Sequence, residues 1–400
     1  SAVRLLKDLG IFSSVQVQAV GADEQPPSSR PALVVRCREA RSRFVDLAGG
    51  FESLDREMEF PGYVTSPVMT AIALQDRSTQ AFGRALGIQI PDILLTAEVR
   101  YTDLNFLGRA KRLYLPFKYG LSATAWDRYA AFVPTYVDPR FFVRGLSFRV
   151  TPFAVYDRAT SALDIIQFGS EFALSKELLP RLFGTFSYSI AEVKTRRDGE
   201  DLYSPFRLEN KVIPVLTWDR LDHPLNPTRG GWLQGSLSYI NAMASGGSLN
   251  HFLKWEVSGK LFWSLRKLFT FGVMARYGAS QSYGTDSKLP QEERFSLGGN
   301  RGVRGFSNDA IGQYDDGGNL RLERTTAADG TETWGKPYGG DIVFNGSAEI
   351  RFPLLRKLSL NAALFYDVGA LAETVSQISG QSFRHSIGVG IRLLLGNTIP

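Results

Sequence analysis

The chain has one cysteine, Cys37, in 400 residues. A single thiol excludes an internal disulfide framework and argues against a thiolate metal site. Histidine is almost as scarce. His223, His251 and His385 stand far apart without metal-ligand spacing, so they read as structural or surface residues. No P-loop, GxSxG or HExxH motif occurs, which removes the usual signs of nucleotide, acyl-transfer and zinc-hydrolase chemistry. No catalytic residue, metal or cofactor is assigned, and the chain does not read as an enzyme. The net charge is +6, yet the basic residues are thinly spread with no Lys/Arg-rich run. Nucleic acid is therefore not expected as a partner. No apolar run reaches the 18 residues of a membrane-spanning helix. No charged-then-apolar leader opens the chain at Ser1, so any export signal is expected to lie outside it.

What is present points elsewhere. Aromatics make up 12% and charged residues 22%, and there are 39 glycines, a composition too apolar for disorder. The length suits one large barrel with a small appendage. In HFLKWEVSGKLFW, residues 251–263, one face carries Leu253, Trp255, Val257, Leu261 and Trp263. The other face carries Lys254, Glu256, Ser258 and Lys260. Phe269, Phe271, Val273, Ala275 and Tyr277 repeat the pattern, as do Leu233, Leu237 and Tyr239. Alternation over roughly 9–11 residues suits a strand with lipid on one side and a polar lumen on the other. Tyr101, Tyr119, Tyr156, Tyr239 and Tyr277 sit near strand ends on the apolar face, where an aromatic girdle belongs.

About fourteen such strands are expected, near 43–52, 94–103, 109–119, 128–137, 144–156, 164–174 and 180–193, then 209–220, 230–242, 251–264, 268–281, 340–352, 357–367 and 382–395. Short turns such as DPRFFVRG and DHPLNPTRG alternate with longer stretches near 194–208 and 282–339. That is the outer-membrane arrangement, with turns in the periplasm and loops outside. A closed wall is also required physically, because an open sheet edge in lipid leaves backbone groups unpaired. Two regions depart from the pattern. Residues 1–41 read as a helix (Val3, Leu5, Leu6 and Leu9 in a stripe) followed by two strands, too short for a domain alone. Within 53–92 a Ser-Pro start and Gly87 suggest a helical insertion in the first long loop.

GIFSSVQVQ, WDRLDHPLNPTRGGWL, GGNRGVRGF, and GSAEIRFPLL followed by LFYDVGAL together resemble the outer-membrane assembly-factor family of the BamA/TamA type. The resemblance spans nearly the whole chain. It implies an all-β transmembrane barrel, sixteen-stranded in the family and about fourteen to fifteen strands here, preceded by the C-terminal part of a POTRA module at 1–41. The barrel would occupy 42–400, with the family pattern calling for about two strands beyond GNTIP. It also implies that the loop near 282–339 folds inward, with Val303, Arg304, Gly305 and Phe306 as its anchor. Alternation places Glu349 on a face with Asn345, Ser347 and Arg351, and Asp367 with Phe365, so these inner-wall residues are the expected partners of Arg304. An arginine fork suits two carboxylates and an aromatic ring. Gly302 and Gly305 are expected to let the loop turn tightly. Gly49 and Gly50 mark a candidate lateral seam, since glycine weakens a strand.

The function implied by the resemblance is folding and insertion of client outer-membrane proteins without nucleotide hydrolysis. A two-partner-type secretion transporter and a passive pore are the alternatives. Expected partners are unfolded client proteins, periplasmic accessory or lipoprotein partners through POTRA, and outer-membrane lipids. The expected site is the bacterial outer membrane, ahead of an organellar one.

Overall fold

The computed structural model describes residues 11–20, 32–53, 93–122, 125–143, 145–157, 163–197, 205–223, 226–244, 249–265, 268–284, 289, 293–299, 302–306, 310–313, 322–326, 332–355, 360–378 and 383–393. The helices expected in 1–10 and within 53–92 lie outside the described residues. Strands β1 (Phe12–Val20) and β2 (Ala32–Glu39) pair antiparallel as a separate two-stranded sheet. The main sheet opens with β3 (Arg43–Ser53), β4 (Ile93–Phe106), β5 (Lys111–Ser122), β6 (Ala125–Phe132), β7 (Thr135–Asp138) and β8 (Leu146–Asp157). It continues with β9 (Leu163–Leu179), β10 (Leu182–Arg197), β11 (Arg207–Asp219), β12 (Gly230–Ala244), β13 (Leu249–Leu265) and β14 (Phe269–Gly284). After a long loop holding the hairpin β15 (Leu322–Thr326) and β16 (Glu332–Pro337), it ends in β17 (Ile342–Leu355), β18 (Leu360–Ala372) and β19 (Arg384–Leu393).

Apart from β6 and β7, which share one place in the sheet, each strand pairs antiparallel with the next in sequence, and the loop hairpin is bypassed, so that β14 pairs with β17. This is the up-and-down wall of a transmembrane β-barrel. All fourteen strands expected from alternation have a counterpart in the sheet. One of them is broken. The strand expected over 128–137 runs as β6 and β7, both paired with β5 and β8 on either side of Val133-Pro134. Pro134 has no N–H to give to the ladder, and the shared register of β6 and β7 sets it opposite Pro152 of β8, which has none either. Alternation did not indicate the β15–β16 hairpin, because it is short and lies inside a polar loop.

Sidedness follows the sequence. Leu233, Trp255, Val257, Leu261, Val273, Ile350 and Leu364 are exposed on the outer face. In a barrel this face meets hydrocarbon rather than water. Lys254 and Glu256 take the opposite face, where Arg276 Nη2 donates to Glu256 Oε2 at 2.9 Å. Among the described residues no helix is long and apolar enough to cross a membrane, so crossing falls to the strands. The inner face is polar for most of its extent, but an apolar cluster forms where the long loop enters. Phe295, Leu297, Val303 and Ile311 of the loop pack there on Val343 and Leu371 of the wall.

Candidate functional site

The inner wall is prepared by two neighbouring strands. Residues facing each other across a ladder point the same way, and the β17–β18 register sets Ser347 opposite Asp367 and Glu349 opposite Phe365. Ser347 Oγ donates to Asp367 Oδ1 at 2.7 Å, and Arg351 Nε donates to Glu349 Oε1 at 2.6 Å. Both carboxylates are thus oriented by the wall itself. Their side chains are 0% and 1% exposed. Buried carboxylates of this kind need a cation, since burying a charge without a partner is costly.

Arg304 supplies it from the loop. Its Nε donates to Asp367 Oδ2 at 2.8 Å and its Nη2 to Asp367 Oδ1 at 2.7 Å, a bidentate fork. Its Nη1 donates to Glu349 Oε2 at 3.1 Å, and Nη2 reaches Ser347 Oγ at 3.0 Å. The backbone N–H of Arg304 adds a bond to Asp367 Oδ2 at 3.1 Å. The guanidinium carbon lies 3.5 Å from the Phe365 ring centroid, which adds a cation–π contact. Lysine could occupy this space, but a single ammonium cannot make the fork and the stack together.

Close packing brings the loop to the wall. Val303 is fully buried in the cluster at the loop entrance, and Phe306 packs against that cluster. A Cβ at Gly369 of β18 would sit 2.7 Å from Leu297 Cδ2 and 2.9 Å from Val303 Cγ2. The missing side chain at Gly369 is the space the loop fills. Gly305 has a related role, since a Cβ there would lie 2.5 Å from Cβ of Ser386 on β19. Gly302 and Gly305 do sit in tight turns, with the Gly302 N–H donating to the Gly299 carbonyl at 3.2 Å and the Phe306 N–H to the Val303 carbonyl at 3.1 Å, while the positive φ angles fall to Gly298 and Gly299, at 126° and 73°. Gly305 is needed for close approach and not for its dihedral angles.

Val303, Arg304, Gly305, Phe306, Glu349, Phe365 and Asp367 therefore lie in one place. Gly49 and Gly50 lie apart from them, inside the unbroken edge strand β3, paired with Ala97 and Thr96. Sequence reasoning passed over the parts played by Ser347, Gly369, Gly388 and Ser386. A Cβ at Gly388 of β19 would meet the Phe365 ring at 2.4 Å, so this glycine allows the ring to lie beneath Arg304. The wall also reaches the opposite rim. Arg351 Nη1 approaches Asn226 Oδ1 and the Pro227 carbonyl of the β11–β12 turn, at 3.5 and 3.4 Å. Within that turn Asp222 accepts bonds from Thr228 N and Arg229 N at 2.8 and 3.1 Å and from Thr228 Oγ1 at 2.6 Å. Slight burial raises the Asp222 pKa and these hydrogen bonds outweigh it, leaving the pKa below the ordinary carboxylate value. Among the described residues no group of His, Cys, Asp and Glu could hold a metal ion.

The geometry has known counterparts. A family model described as the Omp85 superfamily domain matches residues 105–398. Among solved structures, BamA from Haemophilus ducreyi lacking POTRA domains 1–3 is similar at a TM-score of 0.67 and 14% identity, over 98% of this chain and 71% of that one. CdiB from Acinetobacter baumannii is similar at a TM-score of 0.51 and 12% identity, over 98% of this chain and 61% of that one. At such identities the likeness to these two structures speaks to fold alone. A comparison with curated protein sequences gives no match. Together the findings describe an outer-membrane β-barrel. The chain belongs to the Omp85 superfamily.

Proposed function

We propose that this protein is an assembly factor of the bacterial outer membrane that helps client barrels fold and insert without nucleotide hydrolysis. The observation that carries the reading is the anchored loop. Arg304 holds the loop to β17 and β18, and Gly305 brings it against Ser386 of β19. In the described residues β19 is one edge of the sheet and β3 the other. A loop fixed to three neighbouring wall strands ties the state of the lumen to the state of that wall. A passive pore has no use for such a tie.

The edge is also where a client could pair. A strand edge presents unmade backbone hydrogen bonds and templates an incoming strand by β-augmentation. Gly49 and Gly50 suit a weakly held edge. A Cβ at Gly50 would meet nothing within 4 Å, and one at Gly49 only Thr96 O at 3.8 Å, so packing does not demand glycine at either position. Client folding supplies the driving force, since each paired strand buries backbone groups that lipid cannot satisfy. On this reading residues 1–41, including the β1–β2 sheet, are the C-terminal part of a POTRA module that meets periplasmic accessory or lipoprotein partners. The exposed apolar face meets outer-membrane lipids.

The test replaces the exposed Cys37 by serine and installs single cysteines along Arg43–Ser53, Gly50→Cys first. Disulfide adducts with the strands of a client barrel are expected during its insertion. Adducts with a secreted passenger instead would move the function to secretion. No adduct at any position along β3 would defeat the templating mechanism.

A further inference from the structure

We propose that the loop has a second anchor, built from Glu293, Arg294 and Phe295 and held by Lys211 of β11 as its positioning residue. The starting point is a charge that the Arg304 site does not explain. The Lys211 side chain is 2% exposed on the inner face of β11. A cation so deeply buried must be paired. Its own strand offers Glu209, two residues away on the same face, at 3.0 Å. Glu209 is shared, however, because Arg207 Nε also donates to it at 2.9 Å. The second carboxylate comes from the loop: Lys211 Nζ donates to Glu293 Oε1 at 2.6 Å. Lys254 of β13 reinforces the contact, donating to the Glu293 carbonyl at 3.1 Å and lying 4.5 Å from the Phe295 ring centroid. On the wall, Glu209 pairs with Arg207 and Lys211 and Glu256 pairs with Arg276; the loop adds Glu293 as a further carboxylate for Lys211.

The two residues after Glu293 brace the loop on itself and against the start of β17 and the wall strand β14. Arg294 stacks on Tyr338 at 4.3 Å and donates from Nε to the Leu289 carbonyl at 3.2 Å, with the Asp341 and Glu373 carboxylates at 3.6 and 3.8 Å from Nη1. Phe295 exchanges backbone hydrogen bonds with Gly340 at 2.8 and 2.9 Å and fills space that Gly278 of β14 leaves open. Three consecutive residues thus hold three directions. In the sheet β11 lies four strands from β17, so the two anchors hold the loop at well-separated points. One pin would let the loop swing about Arg304. Two fix its orientation and keep the β11–β14 sector of the lumen covered. This extends the anchored-loop reading without depending on the role of Arg304.

Hydrogen exchange of the whole folded protein in lipid vesicles separates the two anchors, and ion conductance in planar bilayers reports coverage of the lumen. Lys211→Met removes the charge and keeps the bulk, so it should speed exchange across 293–299 by roughly a hundredfold while 302–306 stays within about threefold of wild type. Conductance should rise. Lys211→Arg retains the cation and should restore most of the protection, which a merely space-filling role would not require. Arg304→Ala should show the opposite pattern, with 302–306 released first. If Lys211→Met yields no folded barrel, Glu293→Gln decides the matter from the loop side and should likewise release 293–299. Unchanged exchange at 293–299 in the folded variants, or equal release of both segments by either, would overturn the second anchor. Failure of clients to crosslink at β3 would bear on the assembly reading and leave this result untouched.

Discussion

Replacing Arg304 by alanine removes four side-chain hydrogen bonds at once, two to Asp367 and one each to Glu349 and Ser347. Glu349 keeps Arg351 at 2.6 Å, so the larger cost falls on Asp367. That carboxylate is fully buried and would retain the Ser347 hydroxyl and the Arg304 backbone amide, but no cation. Surface pairs contribute about 0–1 kcal/mol, whereas breaking a buried pair costs about 3–5 kcal/mol because a charge is left uncompensated. The Arg304 side chain is 19% exposed, which favours the lower figure. At about 3 kcal/mol, loop opening becomes roughly a hundredfold easier. The β17–β18 ladder does not pass through Arg304, so the barrel should still form and keep its heat-modifiable migration in gels. The assay is limited proteolysis of the loop with client insertion measured in parallel, and both should change in Arg304→Ala. Arg304→Lys should recover only part, because one ammonium cannot reproduce the fork. Unchanged proteolysis in the alanine variant would refute the anchor. Full recovery with lysine would show that charge suffices and that the fork is incidental.

Other changes test other parts of the structure. Gly369→Ala puts a methyl group within 3 Å of Leu297 and Val303, so overpacking should cost about 1–3 kcal/mol and appear as faster loop proteolysis in a folded barrel. Leu261→Lys places a charge on the outer face of β13, where Leu261 is 55% exposed; folding into vesicles should weaken by up to about 2–4 kcal/mol, and an unchanged folding midpoint would reverse the facing of that strand. Asp222 has a depressed pKa in the folded turn, so its stabilisation is complete above the unfolded carboxylate pKa and disappears as pH falls through the lower folded one. Asp222→Asn should accordingly be less stable than wild type at neutral pH and converge with it in strong acid, measured as folding midpoints across the acid range.

The strands were legible because a transmembrane barrel exposes a two-residue period on every crossing. Leu253, Trp255, Val257 and Leu261 against Lys254, Glu256 and Lys260 gives the sidedness of β13 without knowledge of its neighbours. The break between β6 and β7 was less legible. The same alternation runs across Val133-Pro134, and the missing amides of Pro134 and of Pro152 opposite it separate the two pieces. The loop hairpin β15–β16 escaped for a different reason: strands of five and six residues in a polar stretch carry too few alternating positions to stand out.

In the candidate site, legibility depended on the distance over which a residue's partner could be read. The inward facing of Glu349, Phe365 and Asp367 could be read within each strand, whereas Arg304 as their partner came from the resemblance of its motif to the family's. What Ser347 does beside Asp367 depends on the register of two strands, which alternation alone leaves open. Gly369 and Gly388 each read as ordinary glycines in a strand, and such a glycine is equally consistent with a bulge, a bend or a close approach. They become spaces for Leu297, Val303 and Phe365 only when loop and ring are in place. Lys211 and Glu293 are the extreme case, with 82 residues between them. In sequence each looks like a hydrated charge, one on a wall strand and one in a loop. Burial makes them a pair, and burial exists only once the barrel has brought the two ends of that interval together.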